Sequence, residues 1–273
     1  MIPGRREARE LLARHGLHPN RSLGQHFVVD PNTVRRIARL AGVGPGGQVV
    51  EVGAGLGALT VALAQTGAAV TAVEIDRGMV PALREVAEPE GATIVEGDAM
   101  SLDWAALLGT GTWTLVANLP YNVATPLVAD LLDHVASITH MLVMVQREVG
   151  ERLVATPGEE GYGAVSVKVA YWATASVVGR VPASVFLPRP EVESVLVDIR
   201  RRPAPAVGYV DRSRLFALVG AGFGQRRKML RRSLVGIVDP AAFAAAGVRP
   251  EARAEELDVE AWARLARCSP PPS

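Results

Sequence analysis

The chain has 273 residues, 49% hydrophobic and 21% charged, a balance that excludes a disordered or low-complexity protein and suits one large domain or two modest ones. Lysine and arginine total 29 against 28 acids, a formal charge of +1, so net charge argues neither for nor against a polyanionic partner. The single cysteine, Cys268, excludes an internal disulfide and a multi-cysteine metal site. Residues 1–16 lack the apolar core of a signal peptide, and no run approaches the roughly 18 apolar residues of a membrane span; a soluble cytoplasmic protein without a membrane partner is expected.

Charge is unevenly spread. Residues 1–40 carry eight arginines against three acids, and Arg226, Arg227, Lys228, Arg231 and Arg232 form a second basic island. Only Lys168 and Lys228 are lysines, a bias that reports genome composition as readily as arginine's bidentate grip on phosphate. Two basic islands on a near-neutral chain fit an oriented face for a polyanion, or simply solvated helices.

In chain order, Asp30 followed by Pro31 is a helix start for residues 31–41. From Gln48 onward, β-branched runs at 48–52, 69–74, 93–95, 113–117 and 141–145 read as buried strands. Between them, 57–67, 77–87 and 125–135 carry apolar residues at helical spacing, which predicts a parallel sheet covered on both faces. Residues 163–172 remain open: Val165, Val167, Val169 and Tyr171 alternate as in a strand, whereas length and alanine content suit a helix. A strand is predicted at 192–199, a linker at 200–208, a small helical domain over 210–267 and a frayed tail from Ser269 to Ser273.

The chemistry concentrates at predicted strand ends. Gly53, Gly55 and Gly57 follow the first strand and precede a helix, where missing side chains let backbone amides approach a nucleotide-like ligand. The spacing lacks the third glycine of the dinucleotide fingerprint, and the preceding Glu51 suits an S-adenosylmethionine enzyme better than an NAD enzyme. Glu74 ends the second strand, where a carboxylate accepts both ribose hydroxyls; Asp98 follows the third, within reach of an adenine amino group. Each acid alone is as well explained as a turn residue or helix cap.

The segment Asn118-Leu-Pro-Tyr121 ends the fourth strand. A purine amine is a poor nucleophile because its lone pair is delocalised into the ring. The Asn118 side-chain oxygen and the Leu119 carbonyl, held by Pro120, would accept its two hydrogens, while Tyr121 stacks on the base.

At these residues the sequence resembles the 16S ribosomal RNA adenine N6,N6-dimethyltransferases, relatives of the eukaryotic small-subunit dimethylases and the Erm resistance methyltransferases. The resemblance covers essentially the whole chain. It rests on Gly24-Gln-His-Phe27, Glu51-Val-Gly-Ala-Gly-Leu-Gly57, Asn118-Leu-Pro-Tyr-Asn-Val-Ala-Thr-Pro126, Gln146-Arg-Glu-Val149 with Tyr162-Gly163, Phe186-Leu-Pro-Arg-Pro-Glu-Val-Glu-Ser194 and Phe223-Gly-Gln-Arg-Arg-Lys-Met-Leu230. It implies a doubly wound, Rossmann-like α/β methyltransferase domain with an N-terminal arm over 1–202, and a small all-α RNA-binding domain with the tail over 203–273. His26 and Val28 would line the cofactor site with Gly53, Gly55, Glu74, Asp98 and Asn118, although the family often has Leu where Val28 stands. Phe186 would face Tyr121 across a flipped adenine, its bland alternative being a core phenylalanine. Residues 163–172 would be helix, followed by a strand near 174–181. Arg226, Arg227, Lys228 and Arg231 would hold RNA.

The resemblance further implies S-adenosylmethionine as cofactor and two adjacent adenosines near the 3′ end of 16S rRNA as substrate, in the immature small subunit, with the protein a monomer. The reaction would be direct displacement, driven by positioning, with no metal. An Erm-type enzyme of large-subunit rRNA is the nearest alternative, disfavoured by Thr125-Pro126 and the block from Gln146 to Tyr162. A ribosome-assembly binding factor is another, and an NAD-dependent enzyme the weakest.

Overall fold

The computed structural model describes residues 1–20, 23–120 and 123–269. Tyr121 and residues 270–273 of the tail lie outside the described residues. Nine strands occur among those described: β1 (Phe27–Val28), β2 (Gln48–Val52), β3 (Ala69–Glu74), β4 (Thr93–Glu96), β5 (Trp113–Asn118), β6 (Ile138–Gln146), β7 (Ala173–Val181), β8 (Phe186–Leu187) and β9 (Ser194–Arg201). The helices are α1 (Arg5–Arg14), α2 (Pro31–Ala41), α3 (Ala58–Ala64), α4 (Val80–Ala87), α5 (Trp104–Leu108), α6 (Ala124–His134), α7 (Arg147–Val154), α8 (Ala164–Trp172), α9 (Arg212–Gly224), α10 (Leu230–Ser233), α11 (Pro240–Ala246) and α12 (Val259–Cys268).

The main sheet has the order β4-β3-β2-β5-β6-β9-β7. The five strands β2 to β6 are parallel, and the near-continuous burial of β2, β5 and β6 reflects helices on both faces. The strand predicted at 192–199 joins the parallel core the other way round: β9 runs antiparallel to β6, from His140 opposite Arg200 to Gln146 opposite Ser194. After β2 the chain winds outward through β3 to β4, then returns so that β5 lies on the other side of β2. That reversal opens a crevice at the carboxyl ends of β2 and β5, the usual ligand site of a doubly wound sheet.

Local signals hold where they are strong. Asp30 caps α2 by accepting the Thr33 N–H at 2.9 Å, Pro31 takes the first helical position and Gly42 ends the helix in the left-handed region. Residues 163–172, ambiguous by period, form α8, and β7 follows. Sequence pattern did not announce α1, α5 or the two-stranded antiparallel pairing of β1 with β8. Two-residue strands carry no period, and their pairing joins segments far apart in sequence.

The chain divides into two compact units, residues 1–150 with 176–200 and residues 151–175 with 201–273. A single cut after residue 202 therefore misassigns 151–175. Tyr162, Val167 and Tyr171 from that stretch join a core with Leu215, Leu218 and Trp262, and the Tyr162 hydroxyl donates to the Leu257 carbonyl at 2.9 Å. In the same core a Cβ on Gly222 would stand 2.5 Å from the Trp262 ring, which accounts for glycine in the middle of α9. The stretch read as a linker is tied down, with the Arg202 and Ala206 N–H groups donating to Trp172 and Tyr171 carbonyls, each at 2.8 Å.

Candidate active site

The turn after β2 is shaped by glycine. Gly53 and Gly55 have φ of +73° and +55°, conformations that favour glycine. A Cβ on Gly55 would stand 2.8 Å from the Phe27 ring, and one on Gly53 would stand 3.6 Å from the Asn118 carbonyl, narrowing the gap between the ends of β2 and β5. Three of the loop amides are engaged within the fold: the Gly53 and Ala54 N–H groups donate to the Val73 carbonyl, and Gly55 N–H donates to Glu74 Oε2 at 2.7 Å. Among the described residues no acceptor is recorded for the Leu56 N–H.

Glu74, 4% exposed at the end of β3, is fixed from both sides. Oε2 takes the Gly55 N–H, and Oε1 takes the Asp76 N–H at 2.9 Å. Each oxygen keeps a second acceptor site, the arrangement a vicinal diol needs. Burial raises the Glu74 pKa, and the two backbone hydrogen bonds partly oppose that shift.

Asn118 ends β5 with its side chain oriented by chemistry. Nδ2 donates to the His26 carbonyl at 2.8 Å; a carbonyl only accepts, so the nitrogen must face it and Oδ1 points the other way. Among the described residues no donor is recorded on Oδ1 or on the Leu119 carbonyl. The Leu119 N–H is anchored on the Met144 carbonyl at 3.0 Å, and the Pro120 carbonyl starts α6 by accepting the Val123 and Ala124 N–H groups. The His26 ring in turn donates from Nδ1 to the Pro188 carbonyl at 2.8 Å.

One cleft gathers most of the residues expected at the site: His26, Gly53, Gly55, Glu74, Asn118, Leu119, Pro120 and Phe186 all line it. Phe186 is both core and wall, 1% exposed yet lining the cleft with Met144 and Val145. Two residues do not join them. Val28, opposite Phe186 in the β1–β8 pair, faces an adjoining hollow beside Glu51 and Ala54. Asp98 is exposed, and its Oδ1 accepts the Met100 N–H at 2.9 Å, because the chain turns sharply after the short β4.

Sequence reasoning gave no role to Gln25, Ile75, Met144, Val145 or Ser194, which also line the cleft. Gln25 Nε2 donates to Asp76 Oδ2 at 2.7 Å, and its Oε1 accepts the Asn20 N–H at 2.8 Å. It ties the N-terminal segment to the loop after β3; its place between Gly24 and His26 was the available signal.

Beneath the loop, Glu51 is 1% exposed and accepts the Thr60 hydroxyl at 2.6 Å. Burial, reinforced by the nearby Glu74 carboxylate, pushes its pKa up to about 8. The folded chain therefore holds a proton that the unfolded chain releases, so this contribution to stability is full below about pH 4.5 and lost as pH rises towards 8. Glu51→Gln keeps an acceptor for Thr60 and is expected to remove that slope, worth a few kcal/mol at most. Urea midpoints across the same pH range check this; parallel profiles for both proteins would refute it.

A family model described as ribosomal RNA adenine dimethylase matches residues 16–269. The chain belongs to this family. It is 47% identical to ribosomal RNA small subunit methyltransferase A of Streptomyces avermitilis, over 96% of this chain and 92% of the relative. It is 43% identical to the protein of the same name from Acidothermus cellulolyticus, over 98% and 94%. Among solved structures, 23S rRNA methyltransferase ErmE superposes with a TM-score of 0.68 at 26% identity, covering 89% of this chain and 99% of that one. A dimethyladenosine transferase from Plasmodium falciparum gives 0.71 at 23% identity, covering 86% and 94%. The protein is an rRNA adenine methyltransferase dependent on S-adenosylmethionine. The cleft residues fit that cofactor: Glu74 has acceptor sites left for a ribose diol, Gly53 leaves room beside Asn118, and Ile75 and Leu119 give apolar walls.

In the second unit the basic island is not carried by one helix. α9 ends at Gly224, a turn closes with Lys228 N–H donating to the Gln225 carbonyl at 2.8 Å, and α10 starts at Leu230. Gly220, Gly222 and Gly224 weaken the helix before the arginines are reached. Arg226 is committed to its own unit, at 2.7 Å from Glu255 and bonded to the Glu160 carbonyl. Arg227 and Lys228 are exposed with no ion pair recorded among the described residues, and Arg231 has a loose, exposed contact at 3.6 Å with Glu251.

Proposed function

We propose that the enzyme transfers methyl groups to N6 of two adjacent adenosines near the 3′ end of small-subunit rRNA, four transfers in all. It acts as a cytoplasmic monomer on the immature subunit. The observation that carries the reading is the locked Asn118 amide, whose nitrogen is held by the His26 carbonyl so that its oxygen is presented as an acceptor. The 43% and 47% identical relatives named for the small subunit favour that substrate over the large-subunit rRNA of the 26% identical ErmE.

S-adenosylmethionine supplies a methyl group made electrophilic by its sulfonium. Asn118 Oδ1 and the Leu119 carbonyl accept the two hydrogens of the target amine, fixing the nitrogen and favouring a pyramidal shape in which the lone pair is available. Phe186 packs one side of the base, and Tyr121 is assigned the other. His26 positions Asn118 through its carbonyl, and Val28 supports Phe186 through strand pairing. Burial of the site excludes water and strengthens these hydrogen bonds. Asp98, exposed outside the cleft lining with Oδ1 on the Met100 N–H, is assigned the adenine amino group of the cofactor through its remaining acceptor sites.

The test is to map methylated adenines in rRNA from cells with and without the protein. Two adjacent N6,N6-dimethyladenosines near the small-subunit 3′ end should depend on it. Modification of large-subunit rRNA instead would overturn the substrate assignment.

Arg227, Lys228 and Arg231 are proposed to hold RNA phosphates, whereas Arg226 serves the fold. Replacing Arg227 and Arg231 by Ala should flatten the salt dependence of RNA binding by about 0.7–0.9 in log–log slope for each phosphate no longer engaged. Cofactor affinity should survive. Equal slopes with a lowered melting temperature would reassign these arginines to stability.

A further inference from the structure

The first unit carries a second basic feature, on a helix that supplies none of the residues assigned to the reaction. Helix α2 has the sequence PNTVRRIARLA, with three arginines and no acid. Its buried residues are Val34, Ile37, Ala38 and Ala41, so Arg35 and Arg39, one turn apart and both exposed, lie on its outer surface. Beside them runs an open groove of about 510 Å³, floored by Ala38 and Ala62 and lined by Asn32, Arg35, Arg39, Gln65 and Thr66.

These two arginines have no ion pair recorded among the described residues and flank one groove. Several exposed arginines of this unit are matched with acids, Arg6 with Glu7 and Glu10, Arg14 with Glu85, Arg77 with Glu96 and Arg84 with Glu88; Arg9, Arg180 and Arg189 are exposed without a recorded ion pair among the described residues but line no groove with Arg35 and Arg39. Arg36, their neighbour, donates to the Arg180 carbonyl at 3.0 Å. For Arg35 the recorded contact is a weak one to Asn32 Oδ1 at 3.4 Å, and Arg39 has no ion pair recorded among the described residues. The nearby acids are engaged: Asp30 caps α2, and Glu90 takes the N-terminal ammonium at 2.7 Å and Gln65 at 3.4 Å.

We propose that the groove between α2 and α3 binds the phosphodiester backbone of rRNA, with Arg35 and Arg39 each engaging a phosphate and the Asn32 amide adding a donor. Groove and ligand are complementary in charge. Two unmatched guanidinium groups about 6 Å apart along the helix axis, bordering a concave polar surface, suit an extended polyanion, and the enzyme's substrate is one. Contacts of this kind position RNA without reading sequence. The proposal rests on rRNA being the substrate, not on which adenosines are modified.

The test is a salt series of binding to protein-free small-subunit rRNA by the wild-type chain, Arg35→Ala/Arg39→Ala and Arg35→Lys/Arg39→Lys. The alanine pair should bind more weakly, with a log–log slope shallower by about 1.4–1.8, the value for two phosphates. The lysine pair should keep most of the wild-type slope. Melting temperature and cofactor affinity should be unchanged in both. Equal slopes for wild type and the alanine pair overturn the proposal, as does a lowered melting temperature accounting for the weaker binding. Weakened binding to assembled subunits with unchanged binding to bare rRNA also overturns it, pointing to an acidic protein partner. Failure of the wild-type chain to bind rRNA would strike the functional reading itself, and is distinguishable from a failure of the groove alone.

Discussion

Asn118→Ala is expected to slow the methyl-transfer step by about 10²-fold or more while leaving the chain folded. The side chain is half-buried at the end of β5 and joins no hydrophobic core, so its removal costs the fold one hydrogen bond, that between Nδ2 and the His26 carbonyl. The reaction loses more. Without Oδ1 the target amine has only the Leu119 carbonyl to hold it, and the lone pair relaxes into the ring. Asn118→Asp separates the two duties of this residue: it retains an oxygen for the amine but sets a second one against the His26 carbonyl, where an N–H belongs. It should therefore also be impaired. Single-turnover methylation at saturating RNA and cofactor is the measurement, and near-normal rates for the alanine variant would remove Asn118 from the reaction.

Glu74→Ala should weaken S-adenosylmethionine binding by about 5- to 150-fold, or roughly 1–3 kcal/mol. Two losses combine. The ribose diol loses its acceptors, and the Gly55 and Asp76 N–H groups lose the carboxylate that holds both loops. Because burial raises the Glu74 pKa, wild-type affinity should fall on acidification at a higher pH than an exposed carboxylate would give, as the protonated group surrenders an acceptor site. The alanine variant should lack that fall. Calorimetric titration of both proteins over pH decides the matter: equal affinities in a folded variant would sink the assignment.

Much of the methyltransferase fold is legible along the chain because its strands are buried on both sides. A run such as Gln48–Val52 or Trp113–Asn118 then reads as mainly apolar and β-branched without alternation, and the helices between them read at their own period. The α2 boundaries are equally local, since Asp30, Pro31 and Gly42 act within one turn of the helix ends. The site was legible for a related reason. In a doubly wound sheet functional residues sit at strand ends, so Gly53, Glu74 and Asn118 are found by counting strands. Asp98 follows the same rule, but the turn after β4 leaves it exposed outside the cleft lining, with Oδ1 on the Met100 N–H.

The linear sequence by itself determined strands β2 to β6 and helices α3, α4 and α6 between them, the glycine turn, Glu74 and Asn118 among the polar groups of the cleft, and the motifs that mark the family. Tertiary structure alone decided which of those groups are spent. It showed that the amides of Gly53, Ala54 and Gly55 are taken by Val73 and Glu74, that Asn118 is turned by a carbonyl 92 residues away, and that Arg226 belongs to Glu255 while Arg35 and Arg39 are left unmatched by any recorded ion pair. It also decided the antiparallel β9 and the assignment of 151–175 to the second unit. The physical reason is common to all of these. Periodicity and capping are set by neighbours a few residues apart, whereas hydrogen-bond satisfaction and charge pairing are settled by partners that only the folded chain brings together.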